Sequence, residues 1–192
     1  MKNLYRRLFG RLYWVQYSKE LSYKGEWKHG SFHGEGHLKY ANGNTFTGSF
    51  KSGTKNGFGH YKTSNGFEYI GDWLNGYQTG FGAICYKNGD LYEGDVQNSL
   101  RHGEGRFFQA SDCVWYKGAW IKGILYGHVE ISSSEWIFEG QLPEKDVISL
   151  GKLTYPDGSK YEGQILNFKR HGKGTLTAAS GEQTCGVWKD QL

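Results

Sequence analysis

The sequence has little proline, little cysteine and no long apolar run. It contains 2 prolines and 3 cysteines in 192 residues. An odd number of widely spaced cysteines without a C-x-x-C pair argues against a disulfide framework and is typical of a reducing compartment. No apolar run of about 18 residues occurs, so no transmembrane helix is predicted, and residues 1–22 lack the features of a signal peptide. We therefore expect a cytoplasmic protein.

The charge of the chain is concentrated in its first 22 residues. They hold five basic side chains and one acidic side chain, whereas the remaining 170 residues carry 18 of each sign. A protein that binds nucleic acid along an array of repeats is expected to show a basic stripe on that array. The neutral array therefore predicts no nucleic-acid partner, and any contact with an anionic surface is expected at the N-terminal extension.

Glycine and aromatic residues are abundant, at 30 glycines and 17% aromatics, and they follow a repeating pattern. The stretch Tyr23–Gly43 reads Y-x-G-x-W-x-x-G-x-x-x-G-x-G-x-L-x-Y-x-x-G, and the same frame recurs down the chain. Repeats start near positions 23, 46, 69, 92, 116, 138 and 161, with a partial copy at 184. This fixed period predicts one supersecondary unit stacked on copies of itself. We assign residues 23–192 to the array and residues 1–22 to an extension.

The spacing inside each copy is two residues, which is the periodicity of a β-strand. Aromatic residues and glycines alternate with polar residues, so the two groups lie on opposite faces of the strand. Turn sequences around Gly30 and Asn42 separate the strands. Each copy is therefore predicted to be a β-hairpin that is joined to the next copy by another turn.

Antiparallel pairing about these turns predicts which residues face each other. The predicted pairs are Tyr23 with Leu38, Trp27 with Gly34, and Gly36 with Phe50. A large ring can then lie over a neighbouring strand that has no side chain at that point. The predicted fold is all-β: an elongated, twisted single-layer antiparallel sheet of tandem hairpins, open as a trough or half-pipe with the aromatic residues inside.

The repeated frame resembles the signature of the MORN repeat family, YxGxWxxGxxHGxGxxxYxxG. Copies one and three match it almost throughout, and the His-Gly pair at 33–34 recurs at 102–103 and 171–172. The departures are Val96, Leu142 and Ile165 at the second aromatic, Ser99, Lys145 and Phe168 at the turn glycine, and an irregular segment at 142–149. The resemblance implies a stand-alone scaffold or docking surface, as found in cilia, cytoskeletons and membrane junctions.

A row of partly exposed aromatic side chains usually marks a binding site on a soluble protein. The preferred hypothesis is a non-enzymatic adaptor whose trough holds a helical or extended segment of a partner protein. The family's habits favour a ciliary or cytoskeletal assembly such as the axoneme. The predicted partner-binding residues are Tyr23, Trp27, Phe46, Phe50, Tyr69, Trp73, Tyr92, Tyr116 and Trp120.

The alternative hypothesis is a peripheral membrane protein that binds acidic phospholipids through its N-terminus. Leu4, Leu8 and Leu12 recur every four residues, which on a helix makes an apolar face beside basic side chains. The predicted anionic contacts are Arg6, Arg7 and Arg11. Residues 10–14 also match G-x-L-x-Y, and the preferred interpretation of the extension is a half-repeat that caps the array. A basic mitochondrial import segment is a third interpretation.

No catalytic residue, cofactor or metal ion is predicted. His29, His33 and His37 are evenly spaced, but they straddle a turn and a strand instead of sharing one helix face. The two glycines of each G-x-G pair are not followed by the further residues of a dinucleotide-binding or phosphate-binding motif. The glutamates that recur with the repeat are assigned to a solvated face. An uncovered edge strand invites pairing, so homodimerisation stays open.

Overall fold

A computed structural model describes residues 15–18, 21–142 and 147–191. These residues form sixteen β-strands and no helix. Strands that follow one another in the chain are neighbours in one sheet, in the order β1 to β16. The predicted all-β fold of tandem antiparallel hairpins in one open sheet is confirmed. The strands are β1 Val15–Ser18, β2 Leu21–Lys28, β3 Ser31–Tyr40, β4 Thr45–Lys51, β5 Thr54–Lys62, β6 Glu68–Leu74, β7 Tyr77–Cys85, β8 Leu91–Gln97, β9 Leu100–Gln109, β10 Val114–Ile121, β11 Ile124–Ser132, β12 Ile137–Gln141, β13 Ser149–Thr154, β14 Lys160–Leu166, β15 Lys169–Thr177 and β16 Gln183–Gln191.

The described residues divide into two compact units. The first lies within residues 1–89 and 95–100, and the second within residues 90–94 and 101–192. The first unit contains the hairpins β2–β3, β4–β5 and β6–β7. The second contains the hairpins β10–β11, β12–β13 and β14–β15 together with β16. Each unit therefore repeats the same local construction.

One face of the strands carries the leading aromatic residue of each repeat. We call it the aromatic face, and the opposite side of the strands the reverse face. The buried leading residues are Tyr23, Phe46 and Tyr69 in the first unit and Tyr92, Phe138 and Tyr161 in the second. The partner strands place apolar residues opposite them, among which Leu38, Ile84 and Leu153 are buried. The core therefore lies on the aromatic face, as the two-residue period predicts.

The predicted register is right at the open end of the first hairpin and wrong near its turn. Tyr23 lies opposite Leu38, as predicted. Trp27 pairs with Phe32 instead of Gly34, because β3 contains a bulge that shifts the pairing by two residues. A bulge adds residues to one strand only, so one constant register cannot fit the pairs on both sides of it.

Gly34 lies in this bulge. Its φ of 56° is a left-handed conformation that glycine adopts without a steric cost. On its other side β3 pairs Gly34 with Phe50, and Gly36 with Gly48. The predicted pair of Gly36 with Phe50 is therefore wrong by the same two residues. The glycine of the His-Gly motif is thus required by the bulge.

The second glycine of the G-x-G motif is required because an aromatic ring lies against the backbone at that point. In the third repeat a Cβ atom at Gly82 would lie 2.5 Å from Cε2 of Tyr69. A Cβ atom at Gly71 would lie 2.5 Å from the hydroxyl oxygen of the same side chain. The tyrosine ring therefore covers two paired glycines, one on each strand of its hairpin.

Two-residue turns close the hairpins within the repeats. His29 and Gly30 have φ values of 50° and 77°, and two positive values are typical of the type I′ turn that matches strand twist. Asn98 and Ser99 keep this geometry at 51° and 63°, although neither is glycine. Successive turns are also linked, because the Gly76 nitrogen donates a hydrogen bond to the Lys55 carbonyl at 3.0 Å.

Two of the irregular regions noted in the sequence lie wholly or partly outside the described residues. Residues 1–14, which include Arg6, Arg7 and Arg11, are among them, as are residues 143–146 of the irregular segment. Residues 10–14 of the predicted half-repeat are therefore not described. The strand β1, which follows them, pairs with β2 in antiparallel fashion.

The contact between the Tyr69 ring and Gly82 predicts how one added methyl group changes the stability of the fold. Gly82→Ala should lower the free energy of unfolding by about 1–3 kcal/mol, because the new Cβ overlaps the Tyr69 ring. Gly186→Ala is the matched control, since a Cβ atom there meets no atom within 4 Å. Thermal unfolding followed by circular dichroism compares the two variants. Equal melting temperatures would contradict this account of the repeat glycines.

Candidate functional site

Most of the predicted partner-binding residues are buried inside their own unit. Seven of the nine have exposed fractions of 5% or less: Tyr23, Phe46, Phe50, Tyr69, Trp73, Tyr92 and Trp120. Tyr116 is half-buried, and Trp27 retains 37% of its surface. The expected row of partly exposed aromatic side chains is therefore wrong for these seven residues. They form the core of the sheet.

The rings are buried because the first aromatic residue of one repeat packs against the second aromatic residue of the next. These contacts are Tyr23–Phe50 and Phe46–Trp73 in the first unit and Tyr92–Trp120 and Tyr161–Trp188 in the second. The ring centroids lie 5.2 to 5.8 Å apart, and the interplanar angles are 82° to 88°. Edge-to-face packing of this kind is electrostatically favourable. We call this series of contacts the aromatic ladder.

The tryptophans of the ladder also bond to the preceding repeat. The indole nitrogen donates to the backbone carbonyl of a repeat glycine in three cases: Trp73 to Gly59 at 3.2 Å, Trp120 to Gly105 at 3.1 Å and Trp188 to Gly174 at 3.2 Å. Buried indole groups usually find such a partner. Replacing a ladder residue such as Trp73 by alanine would therefore remove core packing and a hydrogen bond together.

The tyrosine hydroxyls of the ladder hold the bulges. Tyr23 donates toward the carbonyl oxygens of Glu26 at 3.0 Å and His33 at 3.3 Å, on either side of the first bulge. Tyr69 and Tyr161 make equivalent bonds in their hairpins. Burial, as the largest cause, raises the pKa of Tyr23 to about 12. The hydroxyl is therefore a neutral donor at physiological pH.

One ammonium group lies among the rings of the first unit. The Nζ atom of Lys55 is 4.2 Å from the centroid of Tyr61, 4.4 Å from Trp73, 5.0 Å from Phe46 and 5.6 Å from Tyr40. Within the described part of the chain no carboxylate forms an ion pair with it. Burial lowers the pKa of Lys55 to about 8. Attraction between the cation and the ring faces offsets part of the lost hydration.

Arginines occupy the same repeat position in the second unit. The guanidinium carbon of Arg101 lies 4.3 Å from the Trp120 centroid, and Arg101 donates to the Gly123 carbonyl at 2.9 Å. Arg170 lies 4.9 Å from the centroid of Trp188. In strands β2 to β15 the carboxylates alternate onto the reverse face. Each unit thus places a cation on its aromatic face, whereas the carboxylates of its strands lie on the reverse face.

The histidines that were considered as metal ligands do not form a site. His37 places Nδ1 2.7 Å from the Thr47 hydroxyl oxygen, and burial, followed by the charges of Lys39 and Lys24, lowers its pKa. Within residues 15–18, 21–142 and 147–191, no group of three His, Cys, Asp or Glu side chains could hold a metal ion. The same residues include no helix long and apolar enough to cross a membrane.

The reverse face of the first unit carries exposed apolar side chains that were not predicted. They are Phe58 at 61%, Ile70 at 42%, Leu74 at 54%, Tyr77 at 61% and Phe81 at 58% exposure, and we call them the reverse-face patch. The sequence holds a signal for them. The residue between the paired glycines is Glu35 in the first repeat and Glu104 in the fourth, but phenylalanine in the second and third.

Residues 23–45, 46–67, 69–91, 92–114, 150–160 and 161–183 match the profile of the MORN repeat. The chain belongs to the MORN repeat family. The stretch 115–149 falls between these matches, yet it contains the MORN-like hairpin β10–β11 and the strand β12. The irregular segment that begins at Leu142 falls in this stretch, and strands lie on both sides of it. No curated protein shows significant sequence similarity to the chain.

Solved structures of a second group of proteins align with this MORN chain at low identity. One is the TCP domain of SAS-4 (dCPAP) from Drosophila melanogaster in complex with a proline-rich motif of Ana2, at 12% identity and a TM-score of 0.34, covering 98% of this chain and 99% of that one. Another is the TCP10 domain of CPAP from Danio rerio, at 10% identity and a TM-score of 0.34, covering 88% and 90%. Scores at this level carry no inference about this chain.

The environment of Lys55 predicts a specific pH dependence of stability. Its pKa of about 8 lies below the ordinary value of 10.5, so the unfolded chain binds more protons between these two values. The melting temperature should therefore rise from about pH 8 to about pH 9.5, before unfolded tyrosines begin to ionise. Lys55→Met should lack this component. An identical pH profile for both proteins, measured by differential scanning calorimetry, would contradict the assigned environment.

Proposed function

We propose that this MORN-repeat chain is a non-enzymatic scaffold that docks a helical or extended segment of a partner protein on the aromatic face. The observation that carries the proposal lies in the first unit. Trp27 keeps 37% of its surface exposed beside the buried rings of Tyr23 and Phe32. Exposed indole groups next to a rigid apolar surface are the usual anchors of protein interfaces.

The buried ladder residues support this surface instead of lining an open groove. Phe50 and Trp73 are fixed by neighbouring rings, so a docked segment would meet side chains that have already lost their freedom. A preorganised surface binds at a lower entropic cost. Within the nine residues predicted from sequence, direct contact is therefore proposed for Trp27 and Tyr116, and a supporting role for the other seven.

The charge on the aromatic face indicates what the partner segment carries. Lys55 holds an ammonium group among four rings, and no carboxylate of the described residues pairs with it. We therefore propose that an acidic side chain of the partner lies near Lys55, where low local hydration strengthens the attraction.

The non-enzymatic part of the proposal follows from how the ionisable groups are used. The tyrosines with raised pKa values, such as Tyr23 and Tyr69, donate to bulge carbonyls of their own hairpin. The glutamates that recur with the repeat make cross-strand contacts, such as Glu93 with Arg106. These are structural uses of groups that catalysis would otherwise need.

Site-specific photo-crosslinking tests which face of the strand meets the partner. Trp27 is replaced by the photoreactive residue p-benzoylphenylalanine in cells, and a second protein carries the same residue in place of Glu26. Glu26 is also exposed, but it lies on the reverse face of the same strand. Light should join a discrete partner to position 27 and not to position 26. Crosslinking from position 26 alone, or from neither position, would contradict docking on the aromatic face.

We further propose that the partner belongs to a ciliary or cytoskeletal assembly. Cells that express the tagged chain are extracted first with detergent and then with salt, and the protein is followed in each fraction. Retention in the detergent-insoluble fraction is the expected result. Release by detergent alone would contradict it and favour the alternative, in which Arg6, Arg7 and Arg11 bind acidic phospholipids. A chain without residues 1–14 is the matched control, because it lacks these arginines and keeps β1 and every later strand.

A further inference from the structure

The reverse-face patch is continuous across three strands of the first unit. Leu74 and Tyr77 face each other next to the turn between β6 and β7. Further along the same hairpin, Ile70 pairs with Ala83, and Phe81 lies in the bulge of β7 beside it. Phe58 extends the patch onto β5. Residues on one face of adjacent strands are close enough to be covered by one ligand.

The fold does not require apolar residues at these positions. The first hairpin has the same architecture, and its residues equivalent to Ile70, Leu74 and Phe81 are Lys24, Lys28 and Glu35. Since charged side chains serve the fold there, the apolar side chains of the patch are not explained by packing within the chain. Contiguous exposed apolar surface of this kind marks an interaction site.

A single carboxylate lies within the patch. Asp72 pairs with Phe58 on one side and with Thr79 on the other, and its side chain is exposed. No ion pair of Asp72 occurs among the described residues. Elsewhere on the reverse face glutamates do form them, for example Glu68, which lies 2.6 Å from the Nζ atom of Lys62. The charge of Asp72 is therefore left for a group outside this unit.

We infer that the reverse-face patch docks a protein segment that combines apolar side chains with a basic residue opposite Asp72. The apolar members supply the contact area, and the carboxylate selects a cationic partner over an acidic one. This surface lies on the opposite side of the strands from Trp27 and Lys55. It therefore goes beyond the proposed function and does not depend on it: a chain with both surfaces would bridge two different segments.

Fluorescence anisotropy with two labelled peptides tests this inference. One probe is a short amphipathic peptide of leucine and lysine, and the other has glutamate in place of every lysine. The variants are taken from other repeats of the same chain, so the fold already accepts them. Phe81→Glu introduces the residue found at Glu35 and Glu104, and Asp72→Ser the residue found at Ser49. Val187→Glu, at a site with 79% exposure in the second unit, is the control.

The leucine–lysine peptide should bind the native chain at the reverse-face patch. Any binding of the leucine–glutamate peptide should occur near Lys55 on the aromatic face, and it should be the same in the native chain, Phe81→Glu and Asp72→Ser. Phe81→Glu should weaken binding by about tenfold, although it adds a negative charge that would strengthen a purely electrostatic contact. Asp72→Ser should reduce the preference for the basic peptide, and Val187→Glu should leave binding unchanged. Circular dichroism melting curves show that each variant is folded.

Three results would overturn the inference. One is no binding of the leucine–lysine peptide, or a loss of leucine–glutamate binding in Phe81→Glu, since the patch would then lack the stated chemistry. A second is unchanged or tighter binding to Phe81→Glu, which would leave charge as the only attraction. The third is self-association of the native chain that Phe81→Glu abolishes, because the patch would then be an interface between two copies.

Discussion

In the part of the chain that the structure describes, neither a helix nor a second sheet covers the strands of either unit, and this constraint governs the rest of the structure. An apolar face must then be shielded by its own side chains. Tyr69 does so by lying against the backbone of Gly71 and Gly82, and the next ring closes over it edge to face. Aromatic residues and glycines therefore recur together, because a large ring can lie against the backbone only where the residue beneath it has no side chain.

This solution uses most of the large side chains for the core, and it divides the two faces by role. On the aromatic face, substitution of a ladder ring would cost about 3–5 kcal/mol, so these positions carry little freedom to specify a partner. On the reverse face, side chains hardly affect the core. The position between the paired glycines can be Glu35, Phe58, Phe81 or Glu104 without loss of the hairpin. Specificity can therefore vary there from repeat to repeat.

One position of the repeat, on the aromatic face just after the turn, accepts side chains of different chemistry. Phe32, Lys55, Gln78 and Arg101 occupy the same place after the turn in successive repeats. Phe32 stacks on the ring of Tyr23, Lys55 and Arg101 lie over neighbouring rings, and Gln78 is buried. Only in some repeats does the side chain end in a charge, and burial lowers the pKa of Lys55 to about 8.

The sequence by itself determined the repeat, the strands, the choice of face for each residue and the pair Tyr23–Leu38, because alternation with a period of two is a local property of a strand. Only the tertiary structure decided the register at the bulge of Gly34, since two added residues on one strand leave the period of two unchanged. It also decided that Phe50 and Trp73 are buried while Phe58 and Phe81 are exposed. Burial depends on contacts between repeats, and those arise only when one hairpin is placed beside the next.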